Sequence, residues 1–280
     1  MRVFITGCDG QLGRALYESL TAHTLAGCDL PHTDITDRSA ITEAIAEFAP
    51  QIVIHTAAWT DVDGCARDPE RAYRVNALGT QNVALACGST DAALAMISTN
   101  EVFDGESEQP YREWDSPHPI NPYAQSKAAG EWFTRHLLTR FYIVRTAWLY
   151  GPGGRNFPHR IIELADELGS LRVVTDEVSN PTFVPDLAAA LAQLIETEAF
   201  GIYHLTNDGY GSRYDFAREI LRVAGRQEVP IERITREAFA RDSTPPAFAP
   251  LANTAAAALG IRLRPWQEAV GEFLQEGYGA

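Results

Sequence analysis

From its first residues the chain alternates short runs of aliphatic and β-branched residues with longer stretches in which apolar positions recur every three or four residues. Short continuous runs predict buried strands, and the longer period predicts amphipathic helices. The predicted strands are Arg2–Thr6, a short one ending near Asp29, Gln51–His55, Ala93–Ser98 and Phe141–Arg145. Between them, helices are predicted at about Gly10–Thr21, Asp37–Phe48, Pro69–Cys87 and Pro122–Leu138. A later strand, Gly201–Leu205, fed by a helix over Val184–Thr197, extends the same sheet. Regular β–α alternation implies an α/β fold with a doubly wound parallel sheet, because parallel neighbours need crossover helices.

Segments 151–182 and 206–280 have another texture, rich in Pro, Gly and aromatic residues. Helices are expected near Ser212–Ala224 and Pro265–Gln275, and the Ala255–Ala258 run is a helical pattern. These two segments predict a smaller, discontinuous substrate-binding domain over the carboxyl ends of the strands, where open α/β sheets bind ligands. Residues 1–150, completed by about 183–205, form the larger domain in this reading. No internal repeat or low-complexity linker interrupts the pattern.

Composition narrows the partners. With 280 residues, 45% apolar and 21% charged, the chain has an ordinary globular profile. Its formal charge of −14 argues against nonspecific nucleic-acid binding, which needs clustered cations. No apolar run is long enough to span a membrane, and no charged-then-apolar leader begins at Met1, so a cytoplasmic protein is expected. Cys8, Cys28, Cys65 and Cys87 form no CxxC pair and no zinc spacing. They read as reduced, packed thiols, and no metal site is expected. Among 23 basic residues Lys127 is the only lysine.

The nucleotide end is marked by Gly7-x-x-Gly10-x-x-Gly13 between the first strand and the first helix. Glycine there permits a tight turn, close approach of backbone to a pyrophosphate, and close helix–strand packing. The following helix N-terminus, at Gln11 and Leu12, offers free N–H groups and a partial positive charge. These features predict a Rossmann-type NAD(P) site. Asp29, 22 residues past Gly7, is placed to accept the adenosine ribose hydroxyls and to repel a 2′-phosphate. Arg14 is placed to balance that phosphate. NADPH and NADH both remain open at this point.

The catalytic end is Tyr123-Ala124-Gln125-Ser126-Lys127, which opens a helix and puts tyrosine and lysine one turn apart on one face. Ketone reduction needs a proton donor at the carbonyl oxygen, and a free phenol with a pKa of about 10 is sluggish at neutral pH. An ammonium one turn away, together with an oxidised nicotinamide, is expected to lower that pKa. Lysine can also reach the nicotinamide ribose, a role for which arginine is bulkier and holds its proton too firmly. With ten tyrosines in the chain, one lysine falls four residues after a tyrosine by chance roughly four times in a hundred. Ser98-Thr99 ends the preceding strand, where the Thr99 hydroxyl can steady the substrate oxygen. Thr99, Tyr123 and Lys127 are the candidate catalytic triad.

Extended strings of the chain resemble the dTDP-4-dehydrorhamnose reductase family of extended short-chain dehydrogenases. They include Ile5-Thr6-Gly7-x-x-Gly10-Gln11-Leu12-Gly13, His55-Thr56-Ala57-Ala58-Trp59-Thr60-x-Val62-Asp63 and Val75-Asn76-Ala77-Leu78. Val102-Phe103-Asp104-Gly105, Arg145-Thr146-Ala147-Trp148-Leu149-Tyr150-Gly151, Asn156-Phe157, Gly201-Ile202-Tyr203-His204-Leu205 and Leu259-Gly260-Ile261-Arg262-Leu263 continue it nearly to the end. The resemblance implies NADPH- or NADH-dependent reduction of the 4-keto group of a dTDP-linked 4-keto-6-deoxyhexose. It further implies that Asp34 and Ile35 contact adenine, that Ala57, Ala58 and Thr60 line the nicotinamide side, and that Asn76 belongs to the cofactor site. Trp148 would stack on the sugar or its nucleotide, with Glu101 and Asn156 also on the substrate. A homodimer is compatible with the resemblance.

One string departs from the family pattern. Where the family reads Ser-Thr-Asp-Tyr-Val-Phe, this chain has Ser98-Thr99-Asn100-Glu101-Val102-Phe103. Glu101 resembles the base of sugar-nucleotide 4,6-dehydratases, the alternative reading, but Asn100 cannot supply the acid that such a reaction needs. A non-catalytic NADP-binding regulatory subunit is a third reading, which predicts a broken triad.

Overall fold

A computed structural model describes residues 1–154 and 156–275. Twelve strands are described: β1 Arg2–Thr6, β2 Thr24–Cys28, β3 Ile52–His55, β4 Ala93–Thr99, β5 Phe141–Thr146, β6 Leu149–Tyr150, β7 Leu171–Val174, β8 Val178–Ser179, β9 Thr182–Phe183, β10 Gly201–His204, β11 Gly211–Ser212 and β12 Ile231–Ile234. Interleaved with them are α1 Gln11–Ser19, α2 Arg38–Phe48, α3 Val62–Arg67, α4 Pro69–Ala72, α5 Gly79–Thr90, α6 Pro122–Leu137, α7 Phe157–Leu168, α8 Val184–Ile195, α9 Arg213–Val223, α10 Thr254–Ala258 and α11 Trp266–Gln275.

Six strands form one sheet in the order β10-β5-β4-β3-β1-β2, and every pairing in it is parallel. Chain order reverses at β1, which lies between β2 and β3. The carboxyl ends of β1 and β3 therefore diverge into a crevice, the ligand position for this topology. Val3, Ile5, Ile54, Ala95 and Val144 bury one face against α1 and α8. Phe4, Val53, Leu94 and Met96 bury the other against α2 and α5. The strands read as continuous apolar runs because both faces are covered.

Local chemistry sets the helix starts. Asp37 caps α2 by accepting the Ser39 and Ala40 N–H groups, and Asn121 caps α6 by accepting that of Ala124 (2.9 Å), with Pro122 in the first turn. The predicted helix over Pro69–Cys87 is broken: a wide π-turn over Tyr73–Leu78 separates α4 from α5. From α5, Thr80 donates its hydroxyl back into that turn, to the Asn76 carbonyl (2.7 Å). Apolar periodicity does not encode such a turn.

A second apolar cluster gathers Tyr150, Ile161, Leu171, Phe183, Phe216, Trp266 and Phe273 from α7, α9, α11 and the short strands around them. Ala256, Ile261 and Leu263, although late in the chain, pack into the sheet's own core. Among the described residues no helix is long and apolar enough to cross a membrane.

Candidate active site

A cleft of about 1030 Å³ runs along the carboxyl ends of β1, β3 and β4. At one end the glycine turn forms its floor. Gly7 has φ +72°, and a Cβ there would lie 2.7 Å from the Ala57 backbone nitrogen, so only glycine fits. Gly10, Gln11 and Leu12 also line the cleft. Gly13 lies behind it, where a Cβ would strike the Gly7 carbonyl and Cys8, so its role is close packing of α1 on β1. Asp29, Asp34, Ile35, Ala57, Ala58 and Thr60 all face the cleft. The Asp29 carboxylate is fixed by the N–H groups of Asp9 (3.0 Å) and Leu30 (2.8 Å).

Besides Gly13, two expected contacts are not brought to the cleft. Asn76 is fully buried beneath it: its amide donates to the Trp59 carbonyl (3.0 Å) and Ser126 Oγ (3.0 Å) and accepts the Trp59 N–H (2.8 Å). It fastens the Trp59 loop to α6, because the π-turn rotates its side chain inward. Asn156 precedes α7 and donates to the Gly151 carbonyl (2.8 Å) while its Oδ1 pairs with His159 Nδ1 (2.7 Å). Those local bonds shape the loop after β6 and take Asn156 off the cleft wall.

At the other end Thr99, Tyr123 and Lys127 come together, from the tip of β4 and the first turns of α6. Lys127 is buried and donates to the Ile97 carbonyl (2.6 Å). Burial lowers its pKa to about 8, opposed by the Glu131 carboxylate. Burial raises the Tyr123 phenol well above its ordinary value, the Glu101 carboxylate adds to this, and a hydrogen bond with Thr99 works against it. The expectation that Lys127 lowers the phenol is thus not met by the protein alone. The ammonium is turned toward the strand carbonyl, and desolvation dominates.

A buried ion pair lies behind the triad. Arg145 grips Glu131 through two bonds (2.9 and 2.7 Å), and Ser98 donates to the same carboxylate (2.6 Å). Glu131 stands one turn beyond Lys127, a spacing legible in the sequence, but its partner lies across the β5 crossover.

The substrate end is built from distant segments. Trp148 adopts φ +43° just after β5, a left-handed conformation that costs about 1–3 kcal/mol in a residue with a side chain. It lines the cleft, and the Arg213 guanidinium sits 3.6 Å over its ring. Arg213 pairs with Glu177 (3.6 Å), and burial lowers its pKa to about 10 against the pull of Glu177 and Glu101. Arg241 bonds Asp63 (3.1 Å) and approaches Glu177 (3.7 Å). Sequence reasoning missed Arg213 and Arg241, since no local pattern separates them from the chain's many surface arginines. Glu101 is partly buried in the same region and accepts a bond from Asn121 Nδ2 (2.8 Å). Burial raises its carboxyl pKa, against the Asn121 bond and the nearby Arg241 and Arg213.

A dinucleotide-sized cleft with a Tyr/Lys/Thr cluster at one end sets the frame for comparison with known proteins. The model of the family described as "RmlD substrate binding domain" matches residues 1–278. The chain belongs to that family. A dTDP-4-dehydrorhamnose reductase from Streptomyces griseus is 38% identical over 97% of this chain and 92% of its own length. The spore coat polysaccharide biosynthesis protein SpsK of Bacillus subtilis is 36% identical over 98% and 97%. Among solved structures, a dTDP-4-dehydrorhamnose reductase from Bacillus anthracis in complex with NADP superimposes with a TM-score of 0.94, at 37% identity over 98% of this chain and 99% of that one. This member of the RmlD family keeps the fold end to end.

Proposed function

We propose that the protein reduces the 4-keto group of a dTDP-linked 4-keto-6-deoxyhexose, at the expense of NADPH or NADH. One observation carries the proposal: Thr99, Tyr123 and Lys127 face a single cleft that runs on to the glycine turn at Gly7 and Gly10. The turn fits a dinucleotide, since Gly7 has no room for a Cβ and the N-terminus of α1 opens beside it. A reduced nicotinamide held beside Tyr123 and Lys127 would supply hydride to the carbonyl carbon.

The chain's own groups do the rest. Tyr123 Oη gives its proton to the carbonyl oxygen, and its raised pKa keeps it protonated until that moment. Thr99 donates to the same oxygen and spreads the developing charge. Lys127 spends one proton on the Ile97 carbonyl and keeps two donors for the nicotinamide ribose, while its charge stabilises the phenolate. In this reading Gly7, Gly10, Gln11, Leu12, Asp29, Asp34, Ile35, Ala57, Ala58 and Thr60 hold the dinucleotide, and Trp148 and Glu101 hold the sugar nucleotide. The division into a 1–150 plus 183–205 domain and a 151–182 plus 206–280 domain belongs to the same proposal, with residues 155 and 276–280 outside those described. The second apolar cluster supports it in part, since it also takes in Tyr150 and Phe183, while Ala256, Ile261 and Leu263 pack into the sheet's core. A cytoplasmic location is supported by four unpaired cysteines, and a homodimer by the resemblance alone.

The dehydratase alternative lacks its acid. The Asn100 amide is committed to Ser179 Oγ (3.0 Å) and the Ala249 carbonyl (3.1 Å). Cofactor absorbance separates the readings. The 4-keto-6-deoxy sugar nucleotide should consume NAD(P)H one for one, and dTDP-glucose should consume none. Conversion of dTDP-glucose to a keto sugar without net cofactor change would refute the reductase, and inertness toward the keto sugar would favour the regulatory subunit.

A further inference from the structure

Glu101 stands where the reductase family has a tyrosine, and one hydrogen bond through its N–H and one through its carboxylate hold it in place. It lies in a short 3₁₀ turn, Asn100–Val102, directly after β4. Its N–H donates to the Thr99 hydroxyl (3.2 Å), which ties the residue to one of the two groups proposed to hold the carbonyl oxygen. Its Oε2 accepts from Asn121, the cap of α6 two residues before Tyr123, which ties it to the other. Oε1 makes no hydrogen bond, and Glu101 forms no ion pair, among the described residues. The two nearby cations have other partners: Arg213 has Glu177 (3.6 Å), and Arg241 has Asp63 (3.1 Å) and Glu177 (3.7 Å). Glu101 lines the cleft together with Thr99 and Tyr123.

From this arrangement we infer that Glu101 determines substrate specificity, its Oε1 accepting the hydroxyl on the ring carbon next to the reacting carbonyl. The inference rests on the reductase reading above. Thr99 and Tyr123 occupy the carbonyl oxygen, so a carboxylate fixed beside both meets what the neighbouring ring carbon carries. A carboxylate oxygen on the cleft wall with no donor from the protein accepts one from what occupies the cleft. A hydroxyl supplies one, whereas a methylene or a methyl ether does not. The substrate class is therefore 4-keto sugar nucleotides with a free hydroxyl beside the ketone. Sites built to bond a substrate hydroxyl reject the analogue lacking it far more strongly than apolar pockets reject a missing methylene.

The test compares the dTDP-4-keto-6-deoxyhexose bearing the C3 hydroxyl with its 3-deoxy counterpart, using wild type, Glu101→Ala and Glu101→Gln. Wild type should favour the hydroxylated sugar in kcat/KM by about 10² or more. Glu101→Ala should shrink that ratio to about tenfold or less by losing rate on the hydroxylated sugar. Glu101→Gln, whose amide oxygen still accepts, should keep part of the preference. NADPH affinity, read by fluorescence titration, should be unchanged in both variants, which shows that the fold and the dinucleotide end are intact. Equal wild-type turnover of the two sugars, or an equal loss on both in Glu101→Ala, overturns the inference and leaves the reductase reading standing. If wild type consumes NADPH with neither sugar, the reductase reading falls. Calorimetric binding of the two sugars to the protein–NADP⁺ complex then still decides the role of Glu101: a preference for the hydroxylated sugar that Glu101→Ala abolishes supports it, and equal affinity refutes it.

Discussion

Lys127 should destabilise the protein that depends on it. Lys127 is 4% exposed, and burial brings its pKa from 10.5 to about 8. At about 1.36 kcal/mol per unit, that difference is on the order of 3 kcal/mol against folding while both folded and unfolded states are charged. Replacing Lys127 by Met removes this cost but forfeits the bond to the Ile97 carbonyl, about 0.5–1.5 kcal/mol. The inactive variant should therefore be more stable than wild type at pH 7 by about 1.5–2.5 kcal/mol. The pH dependence gives the sharper check. Below about pH 8 both states of wild type carry the proton, and the penalty is complete. Between pH 8 and 10.5 the folded state loses its proton while the unfolded chain keeps it, so wild type gains relative stability. The advantage of Lys127→Met should accordingly be largest below pH 8 and fade toward pH 10.5. Urea unfolding of both proteins at pH 6.5, 8, 9 and 10 measures it, at about 1.36 kcal/mol of fading per unit in the upper range. A variant less stable than wild type at pH 7, or a difference flat across the series, would show that the ammonium is not buried at this cost.

Three further outcomes are expected. Tyr123→Phe should lower kcat by about 10² or more with nearly unchanged dinucleotide affinity, whereas Lys127→Arg should lose turnover and dinucleotide affinity together, as steady-state kinetics and titration would show. Glu131→Gln leaves the Arg145 guanidinium, 1% exposed, without its counter-ion, and should cost about 3–5 kcal/mol in denaturant unfolding; a loss under about 1 kcal/mol would mean that water reaches the pair.

The parts of the site written in neighbouring residues were legible from the chain alone. Gly7, Gly10 and Gly13 show as a turn because glycine's freedom is a local property, and Tyr123 and Lys127 show as a pair because one helical turn fixes their separation. Both remain where the spacing put them, and the six parallel strands follow from apolar runs too continuous for a sheet with one wet face. What the chain alone did not determine depends on contacts between distant segments. Asn76, read as a cofactor contact, is turned inward by a π-turn that no periodicity encodes. Arg213 reaches the Trp148 ring from 65 residues away, and an arginine that stacks on an aromatic ring has the same sequence signature as one in water. Even the direction of the Tyr123 pKa was set by tertiary structure, because desolvation depends on everything packed around the phenol, while spacing reports only one charge a turn away. Local geometry is fixed by covalent chemistry and survives any fold, whereas burial and long-range charge come into being only when the chain closes on itself.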